Sequence, residues 1–226
     1  MCHRLWRPLI GCVGCVDWEE PVGRCAAALL AGLALLASCG EDARTPSDRA
    51  AQGGDQPTTA RALAAIAAER VGEPSSAASS RDLDELYKQD AVGAELRFGT
   101  DGEYDGDQFE VRLGTGFQLF EPDCDSASVK DNARLGGCEA VSGGLLLWEV
   151  FEPESDPGAV YVLLRKGETT VLVSQSGPTI DADPRQLDMP ISVDDMFAVA
   201  QDARVDLTTS QEAIDAGAAL DYWTRE

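Results

Sequence analysis

The stretch most suggestive of chemistry is 101–112, DGEYDGDQFEVR. Asp101, Glu103, Asp105 and Asp107 place a carboxylate at every second position, and Gly106 falls at the sixth. Calcium takes oxygen ligands from loops of this spacing, with a glycine at the sixth position for the sharp turn. Position twelve, where a bidentate Glu would close such a loop, is Arg112, and position eight is Gln108. The stretch therefore reads first as a solvated hairpin turn, because Asp and Gly are the residues turns demand. A weak calcium site at Asp101, Glu103, Asp105 and Asp107 is the alternative. Two other groupings carry chemistry-bearing side chains. Glu121, Asp123 and Asp125 surround Cys124, and Trp148, Glu149, Glu152 and Tyr161 could form an aromatic, acidic strip for a sugar. Trp and Tyr on strands more often pack across the sheet. The sole histidine is His3, and no G-x-S-x-G elbow, P-loop or G-x-G-x-x-G occurs. No catalytic residue, metal ligand set or cofactor is singled out, and carboxylates are too abundant for any one pair to stand out as a hydrolase pair.

The cysteines carry a different chemistry. Residues 26–37 read AAALLAGLALLA, twelve uncharged and mostly apolar residues with Arg24 just before them. That is too short to span a bilayer, which takes roughly 20 residues, and it suits the core of a secretory signal. Leu36-Ala37-Ser38-Cys39 ends it in the pattern of a bacterial lipobox: an aliphatic residue, two small residues, then a cysteine. Small residues let the backbone into a peptidase cleft, and the thiolate of Cys39 is the nucleophile that takes up the lipid. The expectation is a signal peptide over 1–38 and lipidation at Cys39. Before it, Trp6, Trp18, Glu19 and Glu20 are poor signal material, and Val22-Gly23-Arg24 would make a short n-region if translation began at Val22. Cys12-Val13-Gly14-Cys15, with His3 nearby, lacks the second pair a zinc site needs. Cleavage before Cys39 leaves Cys124 and Cys138, an even pair in an oxidising compartment, and predicts a disulfide between them. It would close a loop of about 15 residues and contribute ~3 kcal/mol on the chain-entropy model.

The net charge is −22 over 226 residues. The first 38 residues hold three acids and three bases, which cancel, so the whole surplus lies downstream. Nucleic acid recruits clustered Lys and Arg, so it is excluded as a partner. The plain consequence of such charge is solubility and self-avoidance, which favours a monomer. A cationic partner is the functional alternative.

The elements that must carry these residues follow from caps, periodicity and turns. Residues 39–57 have almost no large apolar side chain and read as the lipidated Cys39 followed by a disordered tether, reaching roughly 25 Å on average. Residues 58–226 read as a single α+β domain. Thr caps precede ARALAAIAAERV, with Leu63, Ile66 and Ala67 on one face and Gly-Glu-Pro after it, so a helix starts the domain. A second short helix is expected around Leu83, Leu86 and Tyr87, capped by Ser79 or Ser80. Residues 91–99 and 107–114 form a hairpin around the Asp/Gly turn, and 115–142 form the disulfide loop. Residues 144–152, 159–166 and 169–176 are the clearest strands, joined by short turns and so antiparallel. Ser192-Val193-Asp194-Asp195 opens a helix with Met196, Phe197 and Ala200 toward the sheet. Thr209-Ser210-Gln211-Glu212 is a capping box opening the last helix, after which Trp223 packs. The sum is a roughly five-stranded antiparallel meander with N- and C-terminal helices on one face.

The lipobox, the Ala/Asp/Gly-rich bias and the C-terminal run GPTIDADPRQLDMPISVDDMFAVAQDARVDLTTSQEA together resemble the uncharacterised lipoproteins of high-GC actinomycetes. The likeness covers roughly residue 58 to the end and carries no catalytic motif. It implies a location, the outer face of the cell membrane, and no activity. The expected function is a membrane-anchored, extracytoplasmic, non-catalytic domain that binds a ligand or supports a surface complex with a protein partner. The alternatives are a ligand-sensing accessory to a membrane kinase or transporter, and a carboxylate-based cell-wall hydrolase.

Overall fold

The structure, a computed structural model, describes residues 54–99, 107–118, 123–130, 132–152 and 157–224. The first described element lies slightly before the expected domain start. Gln56–Pro57 (β1) pairs antiparallel with Thr208–Thr209 (β9), and the Thr58 N–H donates to Leu207 O at 3.0 Å. Helix α1, Ala60–Val71, starts where the Thr59 side chain accepts from the Ala62 N–H. It stops at Gly72, whose φ of +91° suits a residue without a side chain. Leu63, Ile66 and Ala67 are fully buried, as the helical spacing requires.

Seven strands form the main sheet: Ser76–Ser79 (β2), Tyr87–Phe98 (β3), Asp107–Phe117 (β4), Leu135–Val141 (β5), Gly144–Glu149 (β6), Ala159–Lys166 (β7) and Thr169–Ser176 (β8). Their spatial order is β2-β3-β4-β8-β7-β6-β5, antiparallel throughout. The fold is α+β with a large antiparallel sheet, but it is not one five-stranded meander. Two up-and-down runs, β2 to β4 and β5 to β8, are joined side by side at β4 and β8. The chain leaving β4 crosses to the far edge before winding back. The additional strands are β2, whose SAAS sequence has no apolar alternation, and β5, whose glycines sit inside the disulfide loop.

Two expected helix starts move for the same reason. Ser79 pairs with Ala94 in the ladder, and the Ser80 N–H donates to Gly93 O at 3.0 Å, so neither can cap a helix. The short helix α2 is only Leu83–Leu86, preceded by Asp82 in a left-handed conformation, and Tyr87 already belongs to β3. At the last helix, α5 (Gln211–Ala218), the cap is Ser210 rather than Thr209, because Thr209 is held by β1. The Ser210 Oγ accepts from the Ala213 N–H at 3.2 Å. Helix α4, Val193–Gln201, is capped by Ser192, and its Met196 and Ala200 are fully buried while Phe197 is half-buried.

Alternation then sorts the sheet into two faces. Phe109, Val111 and Leu113 of β4, with Val171 and Val173 of β8 and Val160, Val162 and Leu164 of β7, point to α1, α4 and α5 and form the main core. Helices α1 and α5 approach so closely that a Cβ on Gly217 would lie 2.6 Å from the Ala62 nitrogen. Arg61 clamps the C-terminal end of α5, donating to Gly217 O at 2.8 Å and Leu220 O at 2.9 Å, and lies over the Trp223 ring. The chain around Trp223 then seals the outer edge of β2: Ala77 N–H donates to Tyr222 O, and Thr224 N–H to Ala77 O.

One core residue is polar. Gln175 is fully buried on the helix side between Phe109 and Val160, and neither amide atom has a partner among the described residues. A buried amide without a partner costs roughly 1–3 kcal/mol. Gln175→Leu is expected to raise stability by about 1 kcal/mol with an unchanged m-value in urea unfolding. A loss of stability would show that the amide has a partner in solution.

Arg204 ties α1 to the turn after α4, reaching Glu69 at 2.7 Å and Asp202 at 2.8 Å. Burial alone would raise the Asp202 carboxyl, but hydrogen bonds and charge from Arg204 bring it below its ordinary value. Such a group stabilises the fold above the ordinary carboxylate pKa, and its contribution fades as pH falls through the depressed one. Arg204→Gln should cost about 1 kcal/mol at pH 7, and the difference from wild type should shrink in chemical unfolding below pH 4. A constant difference across that range would contradict the assignment.

Candidate binding face

The other face of the sheet carries most of the polar side chains that the fold buries. On β4 the alternation that sends Phe109, Val111 and Leu113 to the helices sends Gln108, Glu110 and Arg112 the opposite way. In register across the sheet, Glu95, Glu110, Ser174, Tyr161, Leu147 and Cys138 form one row, and Gly93, Arg112, Leu172, Leu163, Leu145 and Ala140 the next. Glu110 is only 5% exposed and is ion-paired with Arg112. Beside them Arg97 pairs with Glu95 at 2.5 Å.

Gly93 makes this arrangement possible. A Cβ there would meet the Ser80 Oγ at 3.0 Å and the Arg112 Cγ at 3.1 Å. The missing side chain lets Arg112 lie across β3 and brings Ser80 over it. Among the described residues, the buried Ser80 Oγ and Arg112 Nε have no hydrogen-bond partner. Burial lowers the Arg112 guanidinium from its ordinary value, with Tyr87, Tyr161, Glu95 and Asp82 opposing that shift. Burial also pushes the Tyr87 phenol well up, Arg112 tempering it. The Tyr87 hydroxyl donates to Arg112 O at 3.1 Å, so the side chain is fixed at its far end.

Two short apolar clusters flank this floor. On one side Leu86 and Tyr87 pack on Leu163 and Leu172, with Leu83 and Phe117 beside them, and the Tyr87 and Phe117 rings lie 5.6 Å apart. On the other, Val129 of the short helix α3 (Ala127–Lys130) packs on Leu145 and Leu147. Tyr161 sits between the two clusters and donates to Glu149 Oε2 at 3.3 Å, while Asn132 donates to Glu149 Oε1 at 3.0 Å. The floor is thus polar and half-enclosed, with a salt bridge at its centre.

Cys124 and Cys138 form the expected disulfide, with Cα atoms 5.6 Å apart. Cys39 lies outside the described residues, as do Asp101, Glu103 and Asp105. Asp107 opens β4, and burial raises its carboxyl. Among the described residues, no three His, Cys, Asp or Glu side chains are grouped so as to hold a metal ion. The aromatic and acidic strip is divided between the two faces. Trp148 is on the helix side, lying across Gly136 and Gly137 where any side chain would strike it, whereas Glu149 and Tyr161 are on the opposite face. Consecutive strand residues cannot share a face.

Glu110, Arg112 and Ser80 were not singled out for this site by the sequence. The E-V-R alternation does mark Glu110 and Arg112 as facing away from the core, which ordinarily means solvent. No family model matches the chain, and no curated protein or solved structure matches it.

Removing one partner of a buried ion pair leaves an unpaired charge, whereas replacing both can be nearly neutral. Glu110→Leu should cost about 2–3 kcal/mol and the double variant Glu110→Leu/Arg112→Met clearly less, in urea unfolding. Equal costs would place Arg112 in water rather than against Glu110.

Proposed function

We propose that this protein is a lipid-anchored, extracytoplasmic, non-catalytic binding domain, held at the outer face of the cell membrane through Cys39. The lipobox Leu36-Ala37-Ser38-Cys39 carries the reading. The disulfide joining the only two cysteines downstream of Cys39 supports it, because disulfides persist in oxidising compartments. Among the described residues no helix is long and apolar enough to cross a membrane. Two or more acyl chains hold stably where one is marginal. The residues between Cys39 and β1 serve as the tether.

The half-enclosed face with Arg112, Glu110, Ser80 and Tyr161 is the surface best suited to a partner. It offers donors and acceptors held in place by the sheet, and preorganisation of this kind is what binding rewards. The charge of −22 favours a protein partner that carries positive charge. Downstream of His3 no histidine is available for general acid or base work, which supports a binding rather than a catalytic role.

The test is the mature N-terminus. Mass spectrometry of the protein isolated from its own membrane is expected to find acylated Cys39 as the first residue, and Cys39→Ser should abolish lipid labelling and release the protein from the membrane fraction. A peptide from before Cys39 in the mature protein, or an unmodified Cys39, would refute the anchor.

A further inference from the structure

The segment from Asp123 to Lys130 folds over one side of the binding face as a small flap. Several of its own bonds close within it. The Asp125 N–H donates to Asp123 Oδ1 at 2.9 Å, the Lys130 N–H donates to Ser126 O at 3.0 Å, and the Lys130–Asp125 pair is exposed. Its ties to the sheet are of another kind. Val129, 4% exposed, sits on Leu145 and Leu147, Asn132 just beyond the flap bonds Glu149, and Cys124 is bonded to Cys138 of β5. A four-residue helix is far below the length that is stable alone, and a single valine is a small apolar anchor. Of these described ties the disulfide is the covalent one.

We propose that the Cys124–Cys138 disulfide is the latch of this flap, and that reduction by a dithiol opens it without unfolding the domain. The dithiol gives up two electrons and two protons and closes to its own disulfide, while the Sγ–Sγ bond breaks to two thiols. Opening uncovers Leu145 and Leu147, an apolar surface continuous with the Arg112–Glu110 floor. Both cysteines are partly exposed, so a reductant can reach the bond. Cys138 stays in place whichever state the bond is in, because it is paired with Leu147 in the β5–β6 ladder. Cys124 is the half that moves. The regulatory meaning of the latch rests on the binding reading above, but the opening itself does not.

Trypsin reads the opening directly, since Lys130 and Arg134 lie at and just beyond the end of the flap. The full chain is treated with and without a dithiol, and peptide mass spectrometry confirms alkylation of both Cys124 and Cys138. Cleavage after Lys130 or Arg134 is expected to speed up at least tenfold on reduction, while the far-ultraviolet circular dichroism and a single cooperative melt are retained. The Cys124→Ser variant should cleave at the fast rate without reductant. Unchanged cleavage with both thiols alkylated would overturn the proposal. So would cleavage that appears only together with loss of the circular dichroism signal, since the disulfide would then hold the whole fold rather than a flap. Either result leaves the mature N-terminus, and with it the anchor, unaffected.

Discussion

The pairing of β4 with β8 is the constraint on which the rest of the structure depends. Each of the two up-and-down runs pairs strands that follow one another in sequence, as at Gly167, where a φ of +62° sits in the two-residue connection between β7 and β8. Alone, each would present an apolar face and an open edge. The eight register pairs between Gln108–Thr115 and Thr169–Ser176 join them into one sheet. That seam places Val111 opposite Val173 and Leu113 opposite Val171 in the middle of the core, beneath the helices. The pairing is distant in sequence, so its loop closure cost has to be met before these contacts form.

The same seam builds the candidate site. Glu110 and Arg112 project from β4 on the side away from the helices, and Ser174 and Leu172 are their partners on β8. A salt bridge half-withdrawn from water is weak evidence for stability, since desolvation offsets much of the attraction. Its geometry is nonetheless well supported, by Gly93 below, by the Tyr87 hydroxyl at the Arg112 carbonyl, and by apolar clusters on either side. This polar floor between two small apolar clusters is the feature on which the proposed binding reading rests.

How far the sequence reveals this differs by element. Helices α1 and α4 were legible because their caps and apolar spacing agree, and β6, β7 and β8 because each is a short apolar run bounded by turn residues. The disulfide followed from the expected cleavage before Cys39, which leaves Cys124 and Cys138 as a pair. Strands β2 and β5 were not legible, since SAAS and LGGCEAV carry no periodic signal and are drawn into the sheet by their neighbours. The β4–β8 junction was not legible either, because nothing local distinguishes it from a simple meander. For the site, the alternation of Glu110 and Arg112 was visible. Their burial was not, because it depends on where Leu86 and Tyr87 come to rest and on the absence of a side chain at Gly93.

If the seam both joins the sheet and forms the floor of the site, its amides should open only when the whole domain does. Native-state hydrogen exchange at Val111 and Val173 tests this most directly. The expected result is an opening free energy equal to that of global unfolding, with β2 and β5 at the edges exchanging more easily. If the amides of β5 to β8 instead exchange together at a lower free energy than those of β3 and β4, the two runs are separable units. The face they share would then not be a preformed surface.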